Sequence, residues 1–325
     1  MNFQSLNKIE TPDFYLEIAF KNANLAAERE RAKKDYKSFD RLNKSKNVEL
    51  AKLQTMEDIL CKAMTKILKA FPQIDDLPEF YQEMMKVTID VALTKQSLGG
   101  VNWAWKRVHQ LTKEYRIKIK RCKDLLTINK YRTQYMGRVS STLKQIKKNL
   151  RVIDAARKVM KTYPNIKTNS AITTIALFGF PNVGKSTLLS KITTAKPEIK
   201  SYAFTTKRLN LGYVKSKTAG KRYQIIDTPG TLNRFDKMNL IEKQAHLALK
   251  HCAHKIIYIF DLTESSFPLT DQIKLFNTLK KNHKDKKILV YLSKTDLLEK
   301  GTVQEFAKKY KNTISSLEGL KKLLV

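Results

Sequence analysis

The sequence has few features of a secreted or membrane-bound protein. Its 325 residues include three cysteines, Cys61, Cys122 and Cys252, which are odd in number and widely separated. A disulfide framework is therefore not expected, and a reducing cytosol suits the chain. The opening MNFQSLNKIE lacks the apolar core of a signal peptide, and no apolar run reaches the length of a membrane span. We expect a cytoplasmic protein with no membrane partner that is a monomer in the free state.

Acidic residues are also scarce, with 30 Asp and Glu against 63 Lys and Arg and a net charge of +33. Such an excess predicts a polyanionic partner, nucleic acid before a membrane surface. The chain has 50 Lys against 13 Arg, however, and an AT-rich genome could produce that skew. The position of the charge therefore matters more than its total. Residues 106–161 carry 18 basic and 3 acidic side chains, whereas residues 1–105 carry 16 and 15.

This uneven distribution favours an RNA-facing surface on the last two helices of the first domain over a merely solvated face, because a uniform bias would not leave residues 1–105 neutral. Five cations of residues 106–123 share one predicted helical face: Lys106, Lys113, Arg116, Lys120 and Lys123. Aromatic side chains nearby could stack on bases, but aromatic residues at helical spacing more often belong to the core. We interpret Trp103, Trp105 and Tyr115 as core residues.

Phosphate-binding residues are predicted within residues 173–187 (TTIALFGFPNVGKST). A β-branched apolar run leads into this loop and an apolar helical pattern follows, which is the context that G-x-x-x-x-G-K-[ST] requires. Its glycines let backbone amides surround a β-phosphate, its lysine reaches the β- and γ-phosphates, and its serine can bind Mg²⁺. The predicted nucleotide-binding residues here are Gly179, Phe180, Pro181, Asn182, Val183, Gly184, Lys185, Ser186 and Thr187.

The second predicted metal-binding segment is IIDTPG at residues 225–230. Asp227 can hold Mg²⁺ through water, and the Gly230 amide can reach a γ-phosphate. Asp-x-Pro-Gly is also an ordinary turn, but its place one hairpin after the phosphate loop favours the metal role. Between the two segments we expect Thr206 to offer a hydroxyl to Mg²⁺ and the γ-phosphate, with Thr205 as the alternative.

Guanine selection is predicted from LSKTD at residues 292–296, which ends a buried strand. The Asp296 carboxylate can accept hydrogen bonds from both N1–H and N2–H of guanine, and Lys294 can lie over the base. Adenine would leave the carboxylate unpaired, which penalises ATP. Ser315 and Ser316 close the last strand, where a backbone amide can meet guanine O6. The nucleotides are therefore predicted to be GTP and GDP.

Two domains are predicted from the periodicity. Residues 1–161 have helical spacing of apolar residues, and a polar linker follows at residues 162–170. Beyond it, strands and helices alternate as in a mostly parallel α/β sheet with helices on both faces. We predict an all-α bundle over 1–168 and an α/β P-loop domain over 169–325. The predicted strands are 173–179, 207–215, 222–228, 255–262, 287–292 and 312–315, and the helices between them lie near 185–194, 237–252, 269–282 and 302–310.

Within the bundle, Thr11, Pro12 and Asp13 predict a helix start. Its apolar face is expected to include Phe14, Ile18 and Leu25. The second helix is expected to cover 48–70, and the third to begin near residue 75 and end at Gly99 and Gly100. Two further apolar stripes are predicted, one of Val101, Val108, Tyr115, Ile119, Cys122 and Leu126, the other of Leu143, Ile146, Leu150, Ile153 and Met160.

Taken in order, the GTPase motifs resemble those of the Obg branch of translation-factor-like GTPases, in GFPNVGKST and in the FTT of residues 204–206. The segments PDFYLEIAFKNA, SLGGVNWAW and MNLIEKQAHLAL resemble the nucleolar GTP-binding protein family in its short archaeal form. This resemblance implies a helical bundle before a GTPase domain, and a role in assembling the large ribosomal subunit with rRNA as partner.

Three positions bear on the expected activity. Ser293 stands where the guanine motif usually has Asn, so a brace to the phosphate loop is lost and affinity should be modest. Thr231 follows DTPG where Ras-like enzymes have a water-orienting Gln, so intrinsic hydrolysis should be slow. In related GTPases an Asn at the position of Asn182 helps to bind K⁺, so K⁺ stimulation is a hypothesis here. The predicted catalytic residues are Lys185, Thr206, Gly230 and Asn182.

Other interpretations stay open. An RNA-binding assembly placeholder with a vestigial GTPase would account for Ser293 and Thr231, and a translation or tRNA-modification GTPase would share the same motifs. His251, Cys252 and His254 are close in sequence, but no further ligand cluster accompanies them, so a metal site there is not favoured.

Overall fold

The computed structural model describes residues 3–168, 172–193, 210–215, 222–228, 240–310 and 313–324. Thr205, Thr206, Gly230 and Thr231 therefore lie outside the described residues. The chain forms two compact units. The helical unit contains residues 3–76 and 89–163, and the sheet unit contains residues 77–88 and the described part of 164–325. The domain boundary at 168 and 169 stays a prediction. None of the described helices combines the length and apolarity of a membrane span.

Six helices occupy the first half of the chain: α1 (Pro12–Arg31), α2 (Arg41–Ala70), α3 (Glu79–Thr88), α4 (Val91–Arg121), α5 (Leu125–Gln145) and α6 (Lys147–Met160). Four of them begin with an oxygen that accepts a backbone amide three residues on. Thr11 accepts from Phe14 at 3.3 Å, and the same arrangement is made by Asp40 at α2, Asp90 at α4 and Asp124 at α5. Such caps satisfy amides that a helix start leaves unpaired.

The predicted apolar face of α1 is wrong. Phe14, Ile18 and Leu25 are 36% to 43% exposed. The buried residues of α1 are instead Pro12, Leu16, Ala19, Ala23 and Ala27. Both sets fit a helical period, but alanines let α1 and α2 approach closely, so the face with small side chains is the one that packs.

The predicted helix end at Gly99 and Gly100 is also wrong. Helix α3 ends at Thr88 and α4 begins at Val91, with Asp90 as its N-cap. Helix α4 then continues through both glycines. Burial of the residues that follow outweighs the helix cost of about 1 kcal/mol per glycine. Gly100 lies against α6, since a Cβ there would be 2.7 Å from Nδ2 of Asn149.

Most other bundle predictions are confirmed. The second stripe is buried as expected, although it is divided between α5 and α6, and the first is buried except for Leu126, which is 83% exposed at the start of α5. Of the three aromatic residues interpreted as core, Tyr115 is fully buried and Trp105 is half-buried with its ring stacked on His109. Trp103 is 46% exposed, so a core position is wrong for it.

The sheet unit confirms the predicted α/β class. Its strands are β1 (Ile172–Phe178), β2 (Asn210–Lys215), β3 (Arg222–Asp227), β4 (Lys255–Asp261), β5 (Lys287–Ser293) and β6 (Thr313–Ile314). They form one sheet in the order β2-β3-β1-β4-β5-β6. β2 is antiparallel to β3, and the other pairs are parallel, so the sheet is mostly parallel as predicted.

Helices cover both faces of this sheet: α7 (Lys185–Ile192), α8 (Leu240–His251), α9 (Leu269–Asn282), α10 (Lys300–Lys309) and α11 (Leu317–Leu324). Leu177 of β1 joins the cluster that α7 and α11 cover, while its neighbour Phe178 joins the one that α8, α9 and α10 cover. This alternation follows from the two-residue period of a strand. Because β1 lies between β3 and β4, the crevice at its carboxyl end is the usual place for a ligand in such sheets.

We predict that Tyr81→Phe destabilises the sheet unit. The Tyr81 hydroxyl lies 3.0 Å from the Pro164 carbonyl oxygen and accepts a hydrogen bond from the Ile166 amide at 3.0 Å, and all these atoms are buried. The substitution removes this buried hydroxyl and leaves the Ile166 amide with only its 3.0 Å contact to the Pro164 carbonyl oxygen, so the free energy of unfolding should fall by about 0.5–1.5 kcal/mol. Urea unfolding followed by circular dichroism measures the change. Tyr131→Phe on the half-buried face of α5 is the control, and equal midpoints for the two variants would contradict the prediction.

Candidate nucleotide-binding site

The phosphate loop is a tight turn between β1 and α7. Gly179 has φ +149° and Gly184 has φ +93°, and Asn182 is left-handed with φ +63°. A Cβ on Gly179 would lie 2.7 Å from the carbonyl oxygen of Ile259, so no other residue fits there without movement of β4. The predicted glycines are therefore required by backbone conformation and close approach.

The side chains of the loop divide between the core and the surface. Val183 is fully buried in the core cluster beside β1, whereas Pro181, Asn182, Ser186 and Thr187 are exposed. Phe180 stacks on Phe267, which lies between β4 and α9, with ring centroids 4.4 Å apart. The sequence interpretation missed Phe267, because nothing local links it to the loop.

Lys185, the first residue of α7, is only 8% exposed. Its Nζ donates to the carbonyl oxygens of Gly179 at 2.9 Å and Phe180 at 2.6 Å. Burial lowers the pKa of Lys185 to about 8, against a smaller opposite effect of the Asp227 charge. The ammonium is therefore held inside the loop by the same backbone that is predicted to surround the phosphates.

Ser186 and Asp227, each predicted to bind Mg²⁺, meet beside this lysine. Ser186 Oγ donates to Asp227 Oδ2 at 2.6 Å, and Nδ2 of Asn210 donates to the same oxygen at 3.2 Å. Asp227 Oδ1 is buried and has no hydrogen-bond partner among the described residues. Hydroxyl and carboxylate oxygens are ligands that Mg²⁺ prefers, so this pair fits a magnesium site. Asn210, which pairs with Asp227 in the β2–β3 register, was not predicted.

The predicted base-selecting segment follows β5 at the same edge of the sheet. Ser293 Oγ donates to the carbonyl oxygen of Phe260 on β4 at 3.0 Å, and its Cβ lies 3.6 Å from the place of a Cβ on Gly184. Ser293 thus lies beside Gly184 of the phosphate loop, but its hydroxyl donates to β4. Lys294 is left-handed with φ +53°, and Asp296 is exposed.

Lys294 makes a contact that the sequence interpretation missed. Its Nζ donates to Oδ2 of Asp261 and to Oγ of Ser265, both at 2.6 Å. Burial alone would raise the pKa of Asp261, which is 1% exposed, but hydrogen bonds from Lys294, Thr263 and Ser265 outweigh it and hold the pKa below its usual value. The sequence indicates the Lys294–Asp261 pair only in that Asp261 ends β4 and Lys294 directly follows β5.

Ser315 and Ser316 follow β6 and are exposed. The carbonyl oxygen of Ser315 accepts from Thr295 Oγ1 at 3.3 Å, so the last loop contacts the guanine segment. Ser316 Oγ accepts from the Gly319 amide at 3.1 Å near the start of α11. The predicted phosphate, metal and base residues that the structure describes thus lie along one edge of the sheet.

The side chains of His251, Cys252 and His254 have structural roles within the sheet unit. His251 Nδ1 lies 3.0 Å from Glu79 on α3, and His254 Nδ1 accepts from the Thr174 amide at 3.0 Å. Burial raises the pKa of the Cys252 thiol to about 12. In the part of the chain that the structure describes, no group of three His, Cys, Asp or Glu residues could hold a metal ion.

Comparison with known proteins gives a match for each half of the chain. A family model described as NOG1 N-terminal helical domain matches residues 3–167, and one described as 50S ribosome-binding GTPase matches residues 174–294. An uncharacterized protein of Methanocaldococcus jannaschii is 35% identical over 93% of this chain and 83% of its own. Nucleolar GTP-binding protein 1 of Kluyveromyces lactis is 34% identical over 78% of this chain, but over only 39% of its own length. The chain thus contains a GTPase domain and spans well under half of that eukaryotic relative.

Among solved structures, a putative nucleolar GTP-binding protein 1 of Plasmodium falciparum is 32% identical over 47% of this chain and 77% of its own, with a TM-score of 0.35. Era of Aquifex aeolicus bound to GDP.AlF4⁻ is 25% identical over 47% of this chain and 55% of its own, with a TM-score of 0.36.

We predict that GDP affinity falls as pH rises through the range from about 8 to about 10. The pKa of Lys185 is about 8, so the free protein loses the ammonium charge above that pH, and binding of phosphates must then restore it. Titration calorimetry at several pH values measures the trend. The Lys185→Met variant should bind weakly with a flat profile in this range, and Lys191→Met on the exposed side of α7 should behave like the unmodified protein. Parallel profiles for all three proteins would contradict the prediction.

Proposed function

The chain belongs to the nucleolar GTP-binding protein family, and from this premise we propose that it is a molecular switch for assembly of the large ribosomal subunit. It binds GTP or GDP with Mg²⁺, hydrolyses GTP slowly, and contacts rRNA through its helical unit. The observation that carries the proposal is the convergence of Lys185, Ser186, Asp227 and Lys294 at one edge of the sheet.

The buried lysine and the Ser186–Asp227 pair support the triphosphate part of the proposal. When a nucleotide binds, Lys185 can replace its hydrogen bonds to the carbonyl oxygens of Gly179 and Phe180 with hydrogen bonds to phosphate oxygens. Ser186 and Asp227 would hold Mg²⁺, together with Thr206, and Asp227 Oδ1 remains available to it. A bound Mg²⁺ supplies charge that stabilises the phosphate oxygens during transfer.

Hydrolysis on such a site depends on positioning and charge, because the protein forms no covalent bond to phosphorus. A water molecule attacks the γ-phosphorus in line with the bond to the β–γ bridging oxygen, which breaks to release GDP, and the water loses its protons to give inorganic phosphate. Lys185 stabilises the charge that develops on the phosphate oxygens. Gly230 and Thr206 are proposed to contact the γ-phosphate, so their segments would be ordered by GTP and released by hydrolysis. Thr231 cannot orient water as Gln does, so a slow rate is expected without a partner.

The guanine part of the proposal rests on Asp296, supported by the segment around it. The carboxylate is exposed at the carboxyl end of β5, where it can accept two hydrogen bonds from guanine. Thr295 links this segment to Ser315, which would bring a backbone amide of the Ser315–Ser316 turn to guanine O6. Adenine has neither the two N–H donors for Asp296 nor the O6 acceptor for the backbone amide, so GTP is favoured over ATP.

The RNA part of the proposal rests on the basic surface of α4, α5 and α6. Four of the five cations predicted to share one face are exposed, namely Lys106, Lys113, Lys120 and Lys123. Arg116 is half-buried and donates to Gln54 on α2 at 2.7 Å, so it contributes to packing. Exposed cations in such number can neutralise backbone phosphates of RNA without reading its sequence.

A cleft of about 440 Å³ between α6 and the segment before α1 adds a defined place for a phosphate. Four cations line it, Lys8, Lys147, Arg151 and Lys158. Two acids also line it: Glu10 is paired with Lys8 at 3.0 Å, and Asp154 is paired with Arg157 at 2.7 Å and Lys158 at 3.1 Å. Lys147 and Arg151 are exposed and make no ion pair with the residues that the structure describes, so their charges remain for RNA.

We predict that Lys147→Glu/Arg151→Glu lowers crosslinking of the protein to rRNA in cells. The two reversals place negative charge in the cleft, which repels backbone phosphates and should also reduce the salt dependence of binding. The matched control is Lys62→Glu/Lys69→Glu on the exposed side of α2, which changes net charge equally. Sequencing of the crosslinked RNA should give one large-subunit segment that is lost only in the first variant. Equal loss in both variants, or reads scattered over unrelated RNAs, would contradict the RNA proposal.

We also predict that GTP turnover is several-fold faster in KCl than in NaCl. Asn182 is exposed in the phosphate loop, where its side-chain oxygen can help to hold K⁺ beside the phosphates. Asn182→Gly keeps the left-handed backbone and removes that oxygen, so it should abolish the difference between salts while GDP affinity is retained. Equal turnover of the unmodified protein in the two salts would exclude the K⁺ hypothesis.

Two other functions are distinguished by direct experiments. Single-turnover GTP hydrolysis with purified large-subunit precursors should be faster than without them, whereas no stimulation would favour the placeholder with a vestigial GTPase. Sedimentation of cell extracts separates precursors, mature ribosomes and tRNA. Co-migration with tRNA or mature ribosomes alone would favour a translation or tRNA-modification GTPase.

A further inference from the structure

The residue before the guanine turn is held in an unusual conformation by a buried acid. Lys294 has φ +53°, which costs energy for any residue with a Cβ. Its ammonium is anchored at 2.6 Å on Asp261 Oδ2 and at 2.6 Å on Ser265 Oγ. Side-chain exposure is 29% for the lysine and 1% for the acid, so water competes little for this ion pair.

Asp261 is itself fixed on every side. Its backbone amide donates to Gln272 Oε1 at 2.9 Å, and its carbonyl oxygen accepts from Gln272 Nε2 at 2.8 Å. Its other carboxylate oxygen accepts from the amide of Thr263 at 3.0 Å and from the Thr263 hydroxyl at 2.6 Å. The carboxylate therefore has one orientation in which all of these bonds are made. This orientation fixes the place where the Lys294 ammonium can bind.

Lys294 in turn sets the path of the chain that carries Asp296. A short 3-10 turn covers Thr295–Leu297, and the Leu297 amide donates to the carbonyl oxygen of Lys294 at 3.1 Å. Asp296 is exposed in the middle of this turn. Its direction thus depends on the backbone around it, which is set by the conformation of Lys294 and by the bond from Thr295 to Ser315, rather than on contacts of its own carboxylate.

The neighbouring Ser293 explains why a second anchor is needed. It donates to β4 at Phe260, one residue before Asp261, and gives no hydrogen bond to the phosphate loop. The base segment is therefore attached to β4 at two successive positions, Ser293 to Phe260 and Lys294 to Asp261.

We propose that Asp261 is a positioning residue for guanine selection: by anchoring Lys294 with Ser265, it orients Asp296 toward the base without touching the nucleotide. The proposal rests on the guanine-binding function proposed above. It assigns to the end of β4 the bracing that an Asn at position 293 would otherwise give. It also implies that loss of the anchor weakens recognition of the guanine 2-amino group more than binding of the phosphates.

The test compares GDP with IDP, whose base lacks the 2-amino group. The ratio of the two dissociation constants reports the hydrogen bond from that group to Asp296. In Asp261→Asn the volume is kept and the charge lost, so the ratio should fall by about tenfold, the usual effect of a hydrogen bond to a charged group. Lys294→Met should do the same, and the double variant should lose no more than either single one, because the two residues act as one unit.

Asp285→Asn, at an acid whose side chain is 72% exposed and 3.5 Å from Lys286, is the control that should leave the ratio unchanged. A general loss of structure would weaken GDP and IDP alike and lower the unfolding midpoint, without changing their ratio. If Asp261→Asn does not fold, Ser265→Ala at an exposed position removes one of the two lysine contacts and should lower the ratio by a smaller factor.

An unchanged ratio in Asp261→Asn or Ser265→Ala, or full additivity in the double variant, would overturn the inference. Failure of the proposed function has a different signature, because the unmodified protein would then bind adenine and guanine nucleotides equally. A protein that prefers guanine, but whose preference survives loss of Asp261, would keep the function and lose only this assignment.

Discussion

The parallel pairing of the central strands is the constraint on which the site depends. β1 pairs with β3 and β4, and β4 pairs with β5, with Leu177 opposite Asp227 and Asp261 opposite Ser293. Parallel strands end at one edge, so residues far apart in sequence come together without any long-range motif. A shift of one residue in this register would turn the aspartates to the other face of the sheet and separate them from their partners.

Two buried carboxylates at this edge have different surroundings, and the difference separates their roles. All the oxygen contacts of Asp261 are made within the protein, to Lys294, Thr263 and Ser265, so it holds structure. Asp227 shares one oxygen with Ser186 and Asn210 and leaves the other buried without a described partner. A buried acceptor without a partner is costly, which is why it indicates a ligand rather than a structural bond.

Local patterns account for what could be predicted from the sequence. Short motifs at strand ends mark the phosphate loop, the strand that ends in Asp227 and the guanine segment. The glycines of the phosphate loop predict its tight turn, and the length of each strand predicts where its motif lies in the sheet. Asn210, Asp261 and Phe267 were missed because their partners depend on strand order and on loops that meet only in the fold. The face of α1 and the end at Gly99 were misjudged because packing of small residues outweighs both side-chain size and helix propensity.

We propose that one pocket binds phosphates through Lys185 while the carboxylate of Asp296 selects the purine. Titration calorimetry of the unmodified protein with GDP, GTP, ADP and ATP in the presence of Mg²⁺ tests it most directly. Guanine nucleotides should bind at least about a hundredfold more tightly than adenine nucleotides, since adenine leaves Asp296 unpaired. Equal affinities for the two bases, in protein that binds phosphates, would contradict it.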